Sequence, residues 1–484
     1  NLLNGANFDW LSFVEHQEST NDIAYVSLLF DAHELVPMDL RAYLPIFGSL
    51  IGNVDTKEYT YQELAVESEL CCGGMGFNTI VANWLGGKER ADEMHLNLFG
   101  DNDSNYYRQG VMLNVHCLEK NLDRTLDLVT STVCGSLFGN NIHHLEALLG
   151  TTANSAINSV SSDALSYGRK WGLAPFGEEH ALQELLSGLT QVELTLKIAE
   201  LATQDRLKEL VPTLQALAKT IFRPENMRVC VVAGGNRTYI QNSFEGFASR
   251  FADMVGEKTN DPLPSLPFNP AGDLFERKFD TTYIPIDIPV HSCHLALETG
   301  VTYDHPDSAA MTVLSQMLSS LFLHREIREK GGAYGASAGH LQSGILQMSS
   351  YYDPNTLETL KAYGNGVDWL CRGEFSSRDV DEAIISVFGS VDAPKSPSSK
   401  GTSEFLHGLL PEDRQRYRDR FFELNRDILV EAANKRLSKY NNLGDEAWID
   451  FNGESNNGSV CVIGSRESCP DKNKLGNWTV KKTL

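Results

Sequence analysis

No two cysteines in this chain are spaced as C-x-x-C, and no apolar run approaches the roughly 20 residues that cross a bilayer. The nine cysteines are odd in number and scattered, with Cys71-Cys72 the one close pair. That distribution argues against a disulfide framework and for buried free thiols in a reducing compartment. Four N-x-S/T sequons occur, at Asn102, Asn236, Asn457 and Asn477, but so short a pattern often arises by chance. Positive charge is scarce: 41 basic residues stand against 64 acidic ones, a formal charge of −23. This disfavours nucleic acid and anionic membranes as partners and favours basic ligands. The first residues, Asn1-Leu2-Leu3-Asn4-Gly5, include no methionine, basic region or apolar stretch of a leader. The expectation is a chain that begins mid-protein, with any address signal upstream.

Motifs for bond-breaking chemistry are missing too. A hydrolytic zinc needs two or three His, Cys or carboxylate ligands at turn or helical spacing, plus a base. Neither H-E-x-x-H nor H-x-x-E-H occurs, and the nearest miss, His143-His144-Leu145-Glu146-Ala147, ends in alanine instead of histidine. Phe176-Gly177-Glu178-Glu179-His180 fails at its first position. His291 and His294 lie three apart in a strand-like segment, which points them to opposite faces. There is no G-x-S-x-G, no P-loop and no dinucleotide-binding glycine pattern after a strand.

Hydrophobic content of 42% and charged content of 22% are ordinary for a globular protein. A length of 484 residues allows two to four domains. An alternating strand over 24–30 is followed by helices over 38–52 and 61–70, a glycine pair, strands over 79–85 and 107–117, long helices over 121–166 and 191–222, a strand over 227–233 and a helix over 242–255. Pro262, Pro264, Pro267 and Pro270 then mark a linker. The order returns after it: strand 294–298, helix 308–328, a glycine pair, strands 334–339 and 344–352, helices 356–372, 378–390 and 427–435, and strand 459–463. The repeat predicts two homologous α+β domains, each a mostly antiparallel sheet with helices packed on one side. Their expected bounds are 1–260 and 273–484, joined by the linker 261–272. The stretch 393–401 reads as a surface loop of the second domain, and the polar tail 469–484 as loosely held.

One segment stands out: Arg328-Glu329-Lys330-Gly331-Gly332-Ala333-Tyr334-Gly335, where an apolar helix ends, two glycines follow and a strand begins. Arginine presents a rigid fork of donors to a carbonyl or carboxylate, and tyrosine can donate to a developing oxyanion. A purely structural role fits the same spacing. Arg328 and Lys330 would then favour the helix dipole, Gly331 would cap, and Tyr334 would pack.

This segment closely resembles the C-terminal-half signature of the M16 (insulinase/pitrilysin) metallopeptidases. Its Gly-Gly-Ala-Tyr form resembles the presequence-protease/falcilysin branch, subfamily C of M16. Thr20–Val26, Tyr43-Leu44-Pro45 and Thr56–Leu64 are similar as well. The resemblance implies four homologous domains in two halves closing around a peptide chamber, with zinc held by an H-x-x-E-H in the N-terminal half. Arg328 and Tyr334 would be catalytic, Arg328 on a backbone carbonyl of the peptide and Tyr334 on the oxyanion. Arg328, Gly331, Gly332 and Tyr334 would line the substrate.

The resulting expectation is the non-zinc half of a zinc metalloendopeptidase that degrades unfolded peptides such as targeting presequences. This chain would hold no metal or other cofactor of its own and would not be active alone. Zinc would sit in an N-terminal half, on the same polypeptide or a separate chain. Unfolded basic peptides would be the substrates, with neither nucleic acid nor membrane as partner, inside the cell in a mitochondrial-matrix or plastid-type organelle. The alternative is a catalytically inactive M16-like subunit that binds or assembles partners.

Overall fold

The computed structural model describes residues 12–32, 36–94, 96, 98, 106–255, 264–445, 451, 457–467, 469 and 478–481. The sequons at Asn102 and Asn477, the start of the proline-rich stretch (257–263) and most of the C-terminal tail lie outside these residues. Two compact units form, and they interleave along the chain. One gathers Asn1–Ala156, Leu185–Gly272 and Lys395–Leu409; the other gathers Ile157–Glu184, Asp273–Pro394 and Leu410–Leu484.

The first unit is built on strands β1 (Ser12–Gln17), β2 (Ile23–Asp31), β3 (Gly74–Trp84), β4 (Tyr106–Leu118) and β5 (Met227–Ala233). They lie in the order β1-β5-β2-β4-β3, with only β1 and β5 parallel. β-Branched and aromatic residues fit such a pleated surface, and alternation sends neighbouring residues of β2 to opposite faces. Phe30 packs edge-on against Phe222 at 4.9 Å and beside Phe251 at 5.9 Å. Leu122, Leu126, Val129 and Val133 give the helix Leu122–Gly135 one buried stripe. Leu29 instead meets Phe405 and Cys230, so the other face is covered by residues of 395–409. Arg108 secures that cover: its guanidinium donates to the Phe405 carbonyl at 2.7 Å and to both oxygens of Asp31 at 3.1 and 3.2 Å. Within the described part of the linker stretch, the backbone at Phe268 is tied to Tyr43, whose hydroxyl donates to its carbonyl at 2.6 Å and accepts from its N–H at 2.9 Å.

The second unit repeats the plan with β6 (Thr281–Ile286), β7 (His291–Thr302), β8 (Gly335–Leu341), β9 (Ser343–Asp353) and β10 (Gly458–Ser465). Their order is β6-β10-β7-β9-β8, matching the first sheet strand for strand, again with one parallel pair, β6 and β10. A short β11 (Thr479–Val480) adds beside β6, so part of the tail is paired into the sheet. Cys293, Leu295 and Leu297 of β7 share a core with helices Ser308–Met317 and Leu357–Arg372. The alternate residues His294 and Ala296 face the helix Ala164–Leu173, where Leu173, Ala296 and Ile345 form a small apolar cluster. Arg169 of that helix donates to Ser349 Oγ at 2.9 Å.

The α+β class, the antiparallel sheets and the repeat are as the sequence predicts. Strands β1 and β6 are additions. Pro285 within β6 lacks a donor and argues against a strand, yet β10 and β11 pair with it from both sides. The stretch 393–401 is irregular apart from the turn Pro397–Ser399, but from Lys395 onward it belongs to the first unit, where it leads to the helix Thr402–His407. Phe405 supplies the reason, since its ring has apolar company there.

Candidate functional site

The helix that begins at Ser308 changes at Leu318 from α- to π-helical hydrogen bonding and runs so to Lys330. Such i→i+5 winding is rare at length and frequent at functional sites. At its end, Gly332 N–H donates to the Arg328 carbonyl at 3.0 Å and Ala333 N–H to the Ile327 carbonyl at 3.1 Å. Gly332 takes φ +81°, which glycine adopts without strain. A Cβ on Gly331 would lie 2.6 Å from the Ile327 carbonyl oxygen, so the close turn requires glycine there as well. Tyr334 N–H then donates to the Tyr352 carbonyl at 3.3 Å and the chain enters β8.

The charges at the helix end divide by partner. Glu326 accepts from Lys330 at 2.8 Å and from Arg325 at 2.8 Å. These hydrogen bonds, that from Lys330 foremost, hold the Glu326 carboxyl below its usual range against the upward push of partial burial. Arg328 is exposed, donates to His324 Nε2 at 3.2 Å, and makes no ion pair among the described residues. Tyr334 is 66% exposed, its ring centroid 5.5 Å from that of Tyr351 and 6.1 Å from that of Tyr352. It does not pack into the core.

A buried network positions the turn. Asp353, fully buried after Tyr352, accepts from Ser350 Oγ at 2.6 Å, Thr359 Oγ1 at 2.7 Å and Asn355 N–H at 2.9 Å. Burial pushes its carboxyl upward while these donors pull the other way. Asn355 Nδ2 in turn donates to the Gly331 carbonyl at 2.6 Å. Tyr352, exposed and not a glycine, is held at φ +46°, a strained conformation for a bulky residue and one that clusters at functional sites. Sequence reasoning missed Tyr351, Tyr352, Asp353 and Asn355. The Tyr-Tyr-Asp-Pro-Asn run at a strand end was the signal that could have found them.

Three of the histidines weighed for zinc have other neighbours. His144 Nε2 is 2.9 Å from the Asn53 carbonyl and its ring stacks on Tyr61 at 3.7 Å, while exposed His143 faces Glu146 at 3.7 Å. His291 Nδ1 lies 3.1 Å from the Asp353 carbonyl. Among the described residues no group of three or more His, Cys, Asp or Glu could hold a metal ion.

Two family models match this chain. One describes the segment associated with peptidases of M16 subfamily C and covers residues 6–198. The other is the PreP C-terminal domain over residues 290–446, the part that contains the Arg328–Tyr334 turn. The chain belongs to subfamily C of the M16 peptidases. Among its relatives there, the mitochondrial presequence protease of Mus musculus is 32% identical over 444 residues, covering 87% of this chain and 40% of its own length. That of Xenopus laevis is 31% identical over 445 residues, covering 87% and 41%, and that of Saccharomyces cerevisiae 27% over 423 residues, covering 86% and 40%. This chain thus spans about 40% of the length of the curated relatives it matches. The M16 fold recurs in a peptidase M16 inactive domain from Pseudomonas fluorescens, with TM-score 0.55, 16% identity, and coverage of 98% of this chain and 97% of that one. A protease from Helicobacter pylori aligns with TM-score 0.60, 15% identity, and coverage of 93% and 96%. Among the described residues no helix is long and apolar enough to cross a membrane.

Proposed function

We propose that this chain is the C-terminal, non-zinc half of a zinc metalloendopeptidase of M16 subfamily C that degrades unfolded peptides in an enclosed chamber. The observation that carries the reading is a guanidinium without an ion pair among the described residues and a phenol 66% exposed, both presented by one braced helix-to-strand turn. A turn needed only for stability gains nothing from leaving these groups in solvent. Arg328 is the donor fork for a backbone carbonyl of an extended peptide. Tyr334 donates to the oxyanion as the scissile carbonyl becomes tetrahedral, and Gly331 and Gly332 let the peptide backbone approach. The metal and the water it activates belong to the other half. Residues 1–260 and 273–484 are the homologous domains, with 157–184 and 395–409 each lent to the other's sheet.

The charge of −23 suits basic peptides, targeting presequences included. The mitochondrial names of the relatives support a matrix location. The test is to combine this chain with an H-x-x-E-H-bearing N-terminal half of a presequence protease. Cleavage of a basic presequence peptide is expected to appear only when both are present. Tyr334→Phe is then expected to lower kcat by about 100-fold, the order lost with one oxyanion donor. Unchanged kcat removes Tyr334 from the chemistry. If no active half pairs with the chain, the inactive partner-binding subunit becomes the better reading.

A further inference from the structure

Beside the Tyr334 turn lies a cavity of about 520 Å³, within the size range of sites that hold small organic groups. Its lining includes Leu165, Ile288, Val290 and both Tyr351 and Tyr352, whose rings adjoin Tyr334. The lining also includes the exposed Asp163. Asp163 caps the helix Ala164–Leu173 by accepting from Ser166 N–H at 3.3 Å and makes no ion pair among the described residues. One wall is therefore apolar and aromatic, and a fixed negative charge accompanies it. Tyr352 is held in its strained conformation at this wall by the backbone of a strand end that Asp353 anchors. Strained backbone of this kind clusters at sites that clamp ligands.

We propose that this cavity takes one bulky apolar side chain, aromatic or leucine-sized, of an unfolded basic peptide whose backbone is held by Arg328 and Tyr334. The proposal rests on reading those two residues as a peptide clamp, and it adds the specificity that the clamp lacks. Backbone contacts do not distinguish sequences, whereas a preformed apolar pocket does. Asp163 favours a lysine or arginine near the apolar residue. The preferred substrates are then peptides that combine large apolar with basic residues, and acidic peptides are discriminated against.

The probes are three fluorescein-labelled peptides of alternating alanine and lysine, with phenylalanine, alanine or aspartate at the centre. Anisotropy titrations use the 484-residue chain. The phenylalanine peptide is expected to bind about tenfold more tightly than the alanine peptide, the order worth one buried side chain, and the aspartate peptide most weakly. Val290→Trp fills the cavity and Ser161→Trp covers it from an exposed position. Each should bring the phenylalanine-to-alanine ratio to about one, with thermal melting confirming that both variants fold. Arg328→Ala should weaken all three peptides alike. A ratio of one in the unaltered chain, or a preference that survives both tryptophans, overturns the cavity even where Arg328→Ala still weakens binding. If Arg328→Ala changes nothing, or no peptide binds, the clamp reading fails and takes the proposal with it.

Discussion

The side-chain amide of Asn355 donates at 2.6 Å to the carbonyl of Gly331, tying the loop after β9 to the glycine that ends the helix of Arg328. The two residues are 24 positions apart, and the bond fixes the turn on which Tyr334 stands. Replacing Asn355 by alanine leaves that carbonyl without this donor. The expected cost is about 1–2 kcal/mol of stability, read from urea unfolding midpoints. In the proposed two-half enzyme the same variant should lower kcat more than it changes KM, because the turn loses its brace. An unaltered midpoint would mean the bond contributes nothing net.

The glycine pair gives a graded prediction. Gly332→Ala makes only an ordinary contact with Pro354 Cγ at 3.8 Å but must adopt φ +81°, which costs about 1 kcal/mol. Gly331→Ala drives a Cβ to 2.6 Å from a backbone oxygen, so the helix end itself must move. The second variant should be the less stable in thermal melts. The reverse ranking would contradict the geometry.

Three histidines of the second unit make its stability depend on acid. Burial lowers His180 to about 4 and His340 to about 4, and burial together with nearby Arg169 lowers His294 to about 3. Unfolded histidine titrates near ~6.5, so below that pH the unfolded chain binds protons that the folded chain refuses. Stability is therefore full above about pH 6.5 and is lost as pH falls toward 4, and toward 3 for His294. The slope reaches about 1.4 kcal/mol per pH unit for each histidine. Urea unfolding between pH 7 and 4 measures it, and His294→Gln should flatten the slope by about one proton. A pH-independent midpoint would show these rings to be accessible to protons in the folded chain.

In the first unit, Arg108 is 1% exposed and joins the carbonyl of Phe405 to Asp31. Arg108→Ala leaves the buried Asp31 carboxylate only Arg228, whose Nε lies 3.8 Å away, and is expected to cost about 3 kcal/mol, the low end for breaking a buried pair. It should also free the segment 395–409, seen as faster trypsin cleavage at Lys400. A variant as resistant as the parent would place the segment's anchorage in its other contacts, among them Phe405, Lys400 with Glu18, and His407 with Asn83 and Leu85.

Much of this architecture is written in local pattern. Alternation marked β2, strand-like runs marked β4 and β9, and helical patterning over 121–166 marked long helices, because each element must bury one face wherever it lies in the chain. The return of strand, helix, glycine pair and two strands foretold the repeated plan, to which β1 and β6 are additions. Arg328, Gly331, Gly332 and Tyr334 were legible because they fall within one turn. Asn355, Asp353 and Tyr352 were not, since their roles depend on β8 pairing with β9 and on the loop that follows.

By itself the sequence determined the α+β class, the twofold repeat, the family motif and the absence of zinc-ligand spacing, all properties of residues near one another along the chain. Only the tertiary structure decided that 157–184 and 395–409 cover the second faces of the sheets. It alone set Tyr334 in solvent beside Tyr351 and Tyr352 and opened the cavity next to them. Burial and cavity shape are sums over groups distant in sequence, and no local pattern encodes which distant partner arrives.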